Sequence, residues 1–133
     1  MLHRTGTALV VLLALACVSP QAWAGKLAPE FGVNTYTTDN QLDPSVAALG
    51  NGGFVVTWDS FGQDGSSGGV YGQRYNAAGA KVGSSQFRVN SFTAGDQALP
   101  SVAALGDGGF VVTWDSDGQD GSSVGVYGQR YSP

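Results

Sequence analysis

Hydrophobic and polar positions alternate in short runs along this chain, and the runs recur. In residues 54–58 (FVVTW), Phe54, Val56 and Trp58 fall on one side of an extended backbone, and Val55 and Thr57 on the other. In residues 69–76 (GVYGQRYN), Tyr71, Gln73 and Tyr75 share a side. Residues 44–49 (PSVAAL) and 81–90 (KVGSSQFRVN) complete a set of four predicted strands. Between them lie turn signals. The Asn51-Gly52 pair in GNGG (50–53) predicts a tight hairpin in which both residues take positive φ. NAAGA (76–80) predicts a second turn, and the polar run 59–68 a longer loop. No window carries a helical period, and 21 glycines in 133 residues oppose helix. The pattern predicts an all-β protein.

The pattern is written twice. Residues 41–75 align without a gap onto residues 97–131 at a period of 56, and only five of those 35 positions differ. The differences are Leu42/Ala98, Asp43/Leu99, Asn51/Asp107, Phe61/Asp117 and Gly68/Val124. Upstream, FGVNTY (31–36) returns as FRVNSF (87–92). Any site in one copy therefore has a near-twin in the other.

Four antiparallel strands in about 50 residues match one blade of a β-propeller. On that reading, repeat 1 covers about 35–90. Repeat 2 covers about 91–133 and is completed by an N-terminal strand at 28–34, since its third predicted strand is followed only by Ser132 and Pro133. Two blades cannot close a ring. The expectation is therefore a homo-oligomer, with three chains giving six blades or four giving eight. The alternative is a small monomeric sandwich of two four-stranded sheets, within reach of the 109 residues from 25 to 133.

The first 24 residues read differently. Arg4 precedes an apolar run, Ala8–Cys17, and Ala22-Trp23-Ala24 offers a small-x-small cleavage pattern. The run falls short of the roughly 20 residues a membrane span needs. Residues 1–24 are predicted to be a secretory signal and 25–133 a secreted domain. Periplasmic retention, or a lipid anchor through Cys17, is the alternative. Cleavage would remove the only cysteine, Cys17, and the only histidine, His3. The remainder has no disulfide, thiol nucleophile, histidine-based triad or His/Cys metal site. Five cations against ten acids leave it at 5 − 10 = −5, which argues against nucleic acid and anionic membranes as partners.

The stretch PSVAALGNGGFVVTWDSFGQDGSSGGVYGQRYNAAGAKVG resembles tandem repeats of large secreted bacterial proteins described as calcium-binding or adhesin-like. The resemblance implies a propeller-like β-repeat in an extracellular or adhesive setting. It implies no defined ligand, and the glycine-aspartate nonapeptides that carry calcium in RTX proteins are absent.

If each repeat is a blade, Asp39, Asp43, Asp59, Asp64, Asp96, Asp115, Asp117 and Asp120 share one rim, leaving only Glu30 and Asp107 elsewhere. Three kinds of chemistry compete there. Calcium would use Asp115, Asp117 and Asp120 in DSDGQDG (115–121), a loop that loses one carboxylate to Phe61 in the first copy. Carbohydrate would use Trp58, Tyr71, Trp114 and Tyr127 as platforms. Its polar partners would be Asp59, Asp64, Gln73 and Arg74, with Asp115, Asp120, Gln129 and Arg130 in the second copy. Against both stands a structural reading. The loops are then polar turns, the rings are core, and each arginine pairs with Asp59 or Asp115. The third is a glycosidase, which needs only two carboxylates at a fixed separation; catalysis is not expected, because near-identical repeats offer no two distinct carboxylate environments for acid and base. The expected partner is a glycan or a surface protein.

Overall fold

In a computed structural model that describes residues 25–133, the segment 25–40 carries no strand or helix. Seven strands follow: β1 (Gln41–Ala48), β2 (Phe54–Phe61), β3 (Gly68–Tyr75), β4 (Lys81–Arg88), β5 (Gln97–Ala104), β6 (Phe110–Asp117) and β7 (Val124–Tyr131). They pair antiparallel in chain order, as a four-stranded sheet β1–β4 and a three-stranded sheet β5–β7. The protein is all-β, and neither sheet closes into a barrel. Among the described residues no helix is long and apolar enough to cross a membrane. The predicted signal segment 1–24 lies outside the described residues. Residues 25–30 fall outside the unit Phe31–Pro133 that holds every strand.

The repeat is reproduced in register. Phe54 faces Tyr75 and Phe61 faces Gly68 across β2–β3, just as Phe110 faces Tyr131 and Asp117 faces Val124 across β6–β7. Both first strands bulge at the same place, between Leu42 and Ser45 and between Ala98 and Ser101. Asp43 (φ 49°) and Leu99 (φ 55°) sit in the left-handed region there, each followed by a proline that has no N–H for a ladder.

Two expectations are corrected. At the first hairpin only Gly52 (φ 81°) is left-handed, not Asn51. Gly52 N–H donates to Leu49 O at 3.0 Å and Leu49 N–H to Gly53 O at 2.8 Å. Asn51 instead accepts the Gly53 N–H on its side chain at 3.0 Å, a task Asp107 repeats for Gly109 at 3.0 Å. The second correction concerns residues 28–34, which are not a strand, so β7 is a free sheet edge. The last part of this segment lies against the first sheet. Thr35 N–H donates to Gln86 Oε1 at 2.7 Å and Lys81 Nζ to Val33 O at 3.1 Å.

The sheets pack face to face. Val55 and Val70, with Leu49 and Val89, meet Val102, Phe110, Val112 and Trp114 of the second sheet in one core. Thus the first sheet contributes the Val55/Thr57 side of β2, and the second the Phe110/Val112/Trp114 side of β6. Phe87 joins them: its ring lies 6.3 Å from Phe110 and 5.3 Å from Tyr131. That position requires Gly72 on β3, where a Cβ would come within 2.7 Å of the Phe87 ring.

Leu99 is exposed yet held at positive φ, a conformation that costs a branched side chain about 1 kcal/mol and that Asn adopts readily. Leu99→Asn is expected to raise Tm by about 5 °C in a thermal melt. A lower Tm would show that Leu99 contributes more by packing than its backbone costs.

Candidate functional site

Both long loops lie on one rim. Phe61 N–H donates to Asn40 O at 3.0 Å, and Asp117 N–H to Asp96 O at 2.9 Å, so each β2–β3-type loop sits beside the segment entering its own sheet. Ser66 Oγ–H donates to Gly95 O at 3.1 Å, which joins the rim of the first sheet to that of the second. Asp39, Asp43, Asp59, Asp64, Asp96, Asp115, Asp117 and Asp120 all lie on these loops and the strand ends beside them. Asp107 is at the opposite end, in the β5–β6 turn.

Several of the predicted site residues serve the fold. Asp64 Oδ1 accepts the Ser66 N–H at 3.1 Å, and Asp120 Oδ1 the Ser122 N–H at 3.1 Å, so both close the turns they sit in. Trp58, Trp114 and Tyr71 are buried, and Tyr127 is half-buried against the core. Gln73 Nε2–H donates to Arg74 O at 2.9 Å and Val82 O at 3.1 Å, and Gln129 Nε2–H to Arg130 O at 3.0 Å. The expected pairing of arginine with Asp59 or Asp115 is replaced by two other contacts. Arg74 stacks over the Phe110 ring at 5.5 Å, a cation–π contact across the sheets, and Arg130 pairs with Asp107. Both arginines leave the acidic rim because their positions on β3 and β7 lie at the far end of the sheets.

What remains open is a groove of about 320 Å³ on the second sheet. Asp96, Asp115 and Asp117 provide its polar wall, and Ala98, Leu99 and Val124 its apolar floor. Asp115 and Asp117 fall on the same side of β6, where alternate residues share a face. Asp120 is not part of this wall. Among the described residues no group of three or more acidic side chains is placed to hold a metal ion.

The matching place on the first sheet is closed. Asp59, the twin of Asp115, is only 1% exposed, and its Oδ1 has no hydrogen-bond partner. Burial pushes its pKa up to about 6, helped by the nearby charges of Asp43 and Asp96. Sequence alone places these three among the rim acids and does not show that Asp59 is buried beside the other two. The only hint was the Asp43/Leu99 difference, which removes one charge from the second copy. Compared with known proteins, the chain matches no family model, no curated protein and no solved structure.

Asp59 holds its proton more tightly in the folded state than unfolded, where it titrates near 3.8. Its protonation therefore favours folding fully below about pH 4, and that contribution is lost as pH rises through about 6. Thermal melts from about pH 5 to about pH 7.5 are expected to show a falling Tm. Asp59→Asn, which cannot ionise, should flatten this slope and raise Tm at the upper end. An identical slope in the variant would assign the pH dependence to other groups.

Proposed function

We propose that this protein is a secreted, non-catalytic β-repeat module that recognises extracellular or surface carbohydrate through its acidic rim. The observation that carries the reading is the open groove walled by Asp96, Asp115 and Asp117 over an apolar floor. Carboxylates spaced along a groove accept hydrogen bonds from sugar hydroxyls, and Ala98, Leu99 and Val124 suit the C–H face of a sugar ring. Trp58, Tyr71 and Trp114 are buried, so the groove and not the tryptophans forms the site on this reading. The two sheets would be propeller-type blades, in keeping with the resemblance of the repeat to those of secreted adhesin-like proteins. Export would follow from the signal-like pattern at 1–24.

A calcium-stabilised structural repeat is the second reading. Its support is the carboxylate oxygens of Asp59 and Asp96 that are buried without partners, which a cation would satisfy.

A glycan array separates the two. The carbohydrate reading expects hits that persist in EDTA and fall at least about tenfold in Asp115→Asn/Asp117→Asn, whose rim positions are open and tolerant of change. The calcium reading expects no hits, and a Tm that rises with calcium and drops in EDTA. No hits together with an unmoved Tm would sink both.

A further inference from the structure

Two positions related by the repeat have the same residue and opposite environments. Val70 on β3 is 0% exposed, whereas its twin Val126 on β7 is 77% exposed. Val102 on β5 is 8% exposed, whereas its twin Val46 on β1 is 65% exposed. Val70 belongs to the face of the first sheet that is covered, and Val102 to the face of the second sheet that covers it. Val126 and Val46 mark where the same two faces stay open, although on the outer side of the first sheet Trp58, Tyr71, Gln73 and Tyr75 are already buried. The chain thus shows one complete seam between sheets and, at its two outer surfaces, the two unpaired halves of another.

We propose that a second copy of this chain docks there head to tail, the outer face of its first sheet on the open face of β5–β7. The occupant follows from the seam already built. At that seam Val89 N–H donates to Val70 O at 2.7 Å, and Val70 N–H to Asn90 Oδ1 at 2.8 Å. Shifted by one repeat, the same bonds run from Val33 of the second copy to Val126 O, and from Val126 N–H to Asn34 of the second copy. Asn34 is already held as Asn90 is. Its Nδ2 donates to Tyr36 O at 2.7 Å and Gln41 Oε1 at 3.0 Å, matching Asn90 to Phe92 O at 2.8 Å and Gln97 Oε1 at 3.1 Å. Val102 N–H donates to Ser45 Oγ at 3.2 Å, and its shifted equivalent joins Val46 of the second copy to Ser101.

The side chains fit as well. A hollow of about 130 Å³ beside Val33, Asn34, Pro44, Val56 and Trp58 lies where the Val126 side chain of a neighbour would enter. Phe31 meets Tyr75 at 5.4 Å, as Phe87 meets Tyr131 at 5.3 Å, while Phe31 stays exposed. Phe87 also lies over Gly72, and the twin of Gly72 is Gly128, whose open Cβ position has only Thr113 and backbone nearby. Charge favours the new seam. Asp43, Asp59 and Asp96 crowd the existing one, but their equivalents are Leu99, Asp115 and Asn40 of the second copy. With Asp117 standing where the existing seam has Phe61, three carboxylates become two. At the rim, Val124 stands where the existing seam has Gly68, so the Asn40 side chain must turn away from the place Asp96 takes, 2.2 Å from a Cβ at 68.

A contact of this kind joins two different surfaces, so repetition gives a ring where the rotation closes and a filament where it does not. The docked copy would cover Asp115 as the existing seam covers Asp59, so docking and carbohydrate binding at the groove of Asp96, Asp115 and Asp117 compete for one face.

Light scattering on the purified protein across a concentration series tests the proposal. The wild type is expected to self-associate, as a ring or as a longer array. Val126→Arg and Val46→Arg, both at exposed positions, should each be monomeric with unchanged Tm. Mixed together they should form a 1:1 dimer, because each retains the face that the other has lost. A wild type that stays monomeric to its solubility limit overturns the proposal. So does an oligomer that survives both substitutions, or a mixture that stays monomeric. Glycan binding is read on Val46→Arg, because Val126 lies directly across from Asp115 of the groove, so failure of one proposal is not mistaken for failure of the other.

Discussion

Neither sheet can bury its apolar surface alone, and the fold depends on the one face-to-face contact that resolves this. Phe110, Val112 and Trp114 from β6 are covered by Val55, Val70 and Leu49 of the first sheet. Full burial of side chains of this size stabilises by about 1.5–3 kcal/mol each. Few other devices are available, since among the described residues there is no cysteine for a disulfide and the one ion pair, Arg130–Asp107, is exposed. Arg74 shows how far the contact reaches: it crosses from the first sheet to lie over the Phe110 ring of the second.

The same contact creates the electrostatic tension at the rim. Stacking a second sheet on the Val55/Thr57 side of β2 also covers Asp59, which continues that side toward the rim. A carboxylate taken from water without a matching cation holds its proton instead, and Asp59 does so at a pKa of about 6. Its twin Asp115 has no sheet over it and lines an open groove. One residue type at one register position is thus a buried proton-holder in the first copy and a surface hydrogen-bond acceptor in the second. The difference comes from what lies above it, not from its neighbours along the strand.

Coverage of a sheet face is also what local sequence pattern does not encode. The alternation in FVVTW and GVYGQRY and the 56-residue period made the strands, their order and the twin loops legible, because these follow from local pattern. The collection of acids on one rim was legible as well, since strand order alone assigns loops to ends. Coverage was not. Val70 and Val126 are identical in type and flanked by the same residues, yet one is core and the other faces outward. Residues 28–34 read as a strand because Phe31–Asn34 copies Phe87–Asn90. That copy is held to the side chains of β4 through Thr35–Gln86 and Lys81–Val33 and joins no sheet, so the pattern is present without the pairing. The arginines were misassigned for a related reason. Opposite charge pointed to Asp59 and Asp115, but β3 and β7 carry Arg74 and Arg130 away from the rim, toward Phe110 and Asp107.

The five differences between the copies bear on this distinction. Positions 61/117 and 68/124 face each other across β2–β3 and β6–β7 at the rim, and 42/98 and 43/99 sit at the bulge beside them, while 51/107 lies in the opposite turn. The sheet faces themselves are unchanged: Val46/Val102, Phe54/Phe110, Val56/Val112, Val70/Val126, Gly72/Gly128 and Arg74/Arg130 are the same in both copies. A glycine such as Gly128, with no ring over it, weakens a strand without any packing in return. Val126, facing water, adds exposed apolar surface beside Leu99 and Val124. Both choices are costly for a terminal sheet and sound for an internal one. The docking proposed above would offset both costs, and the variation between the copies lies at the ends of the strands and in the turns.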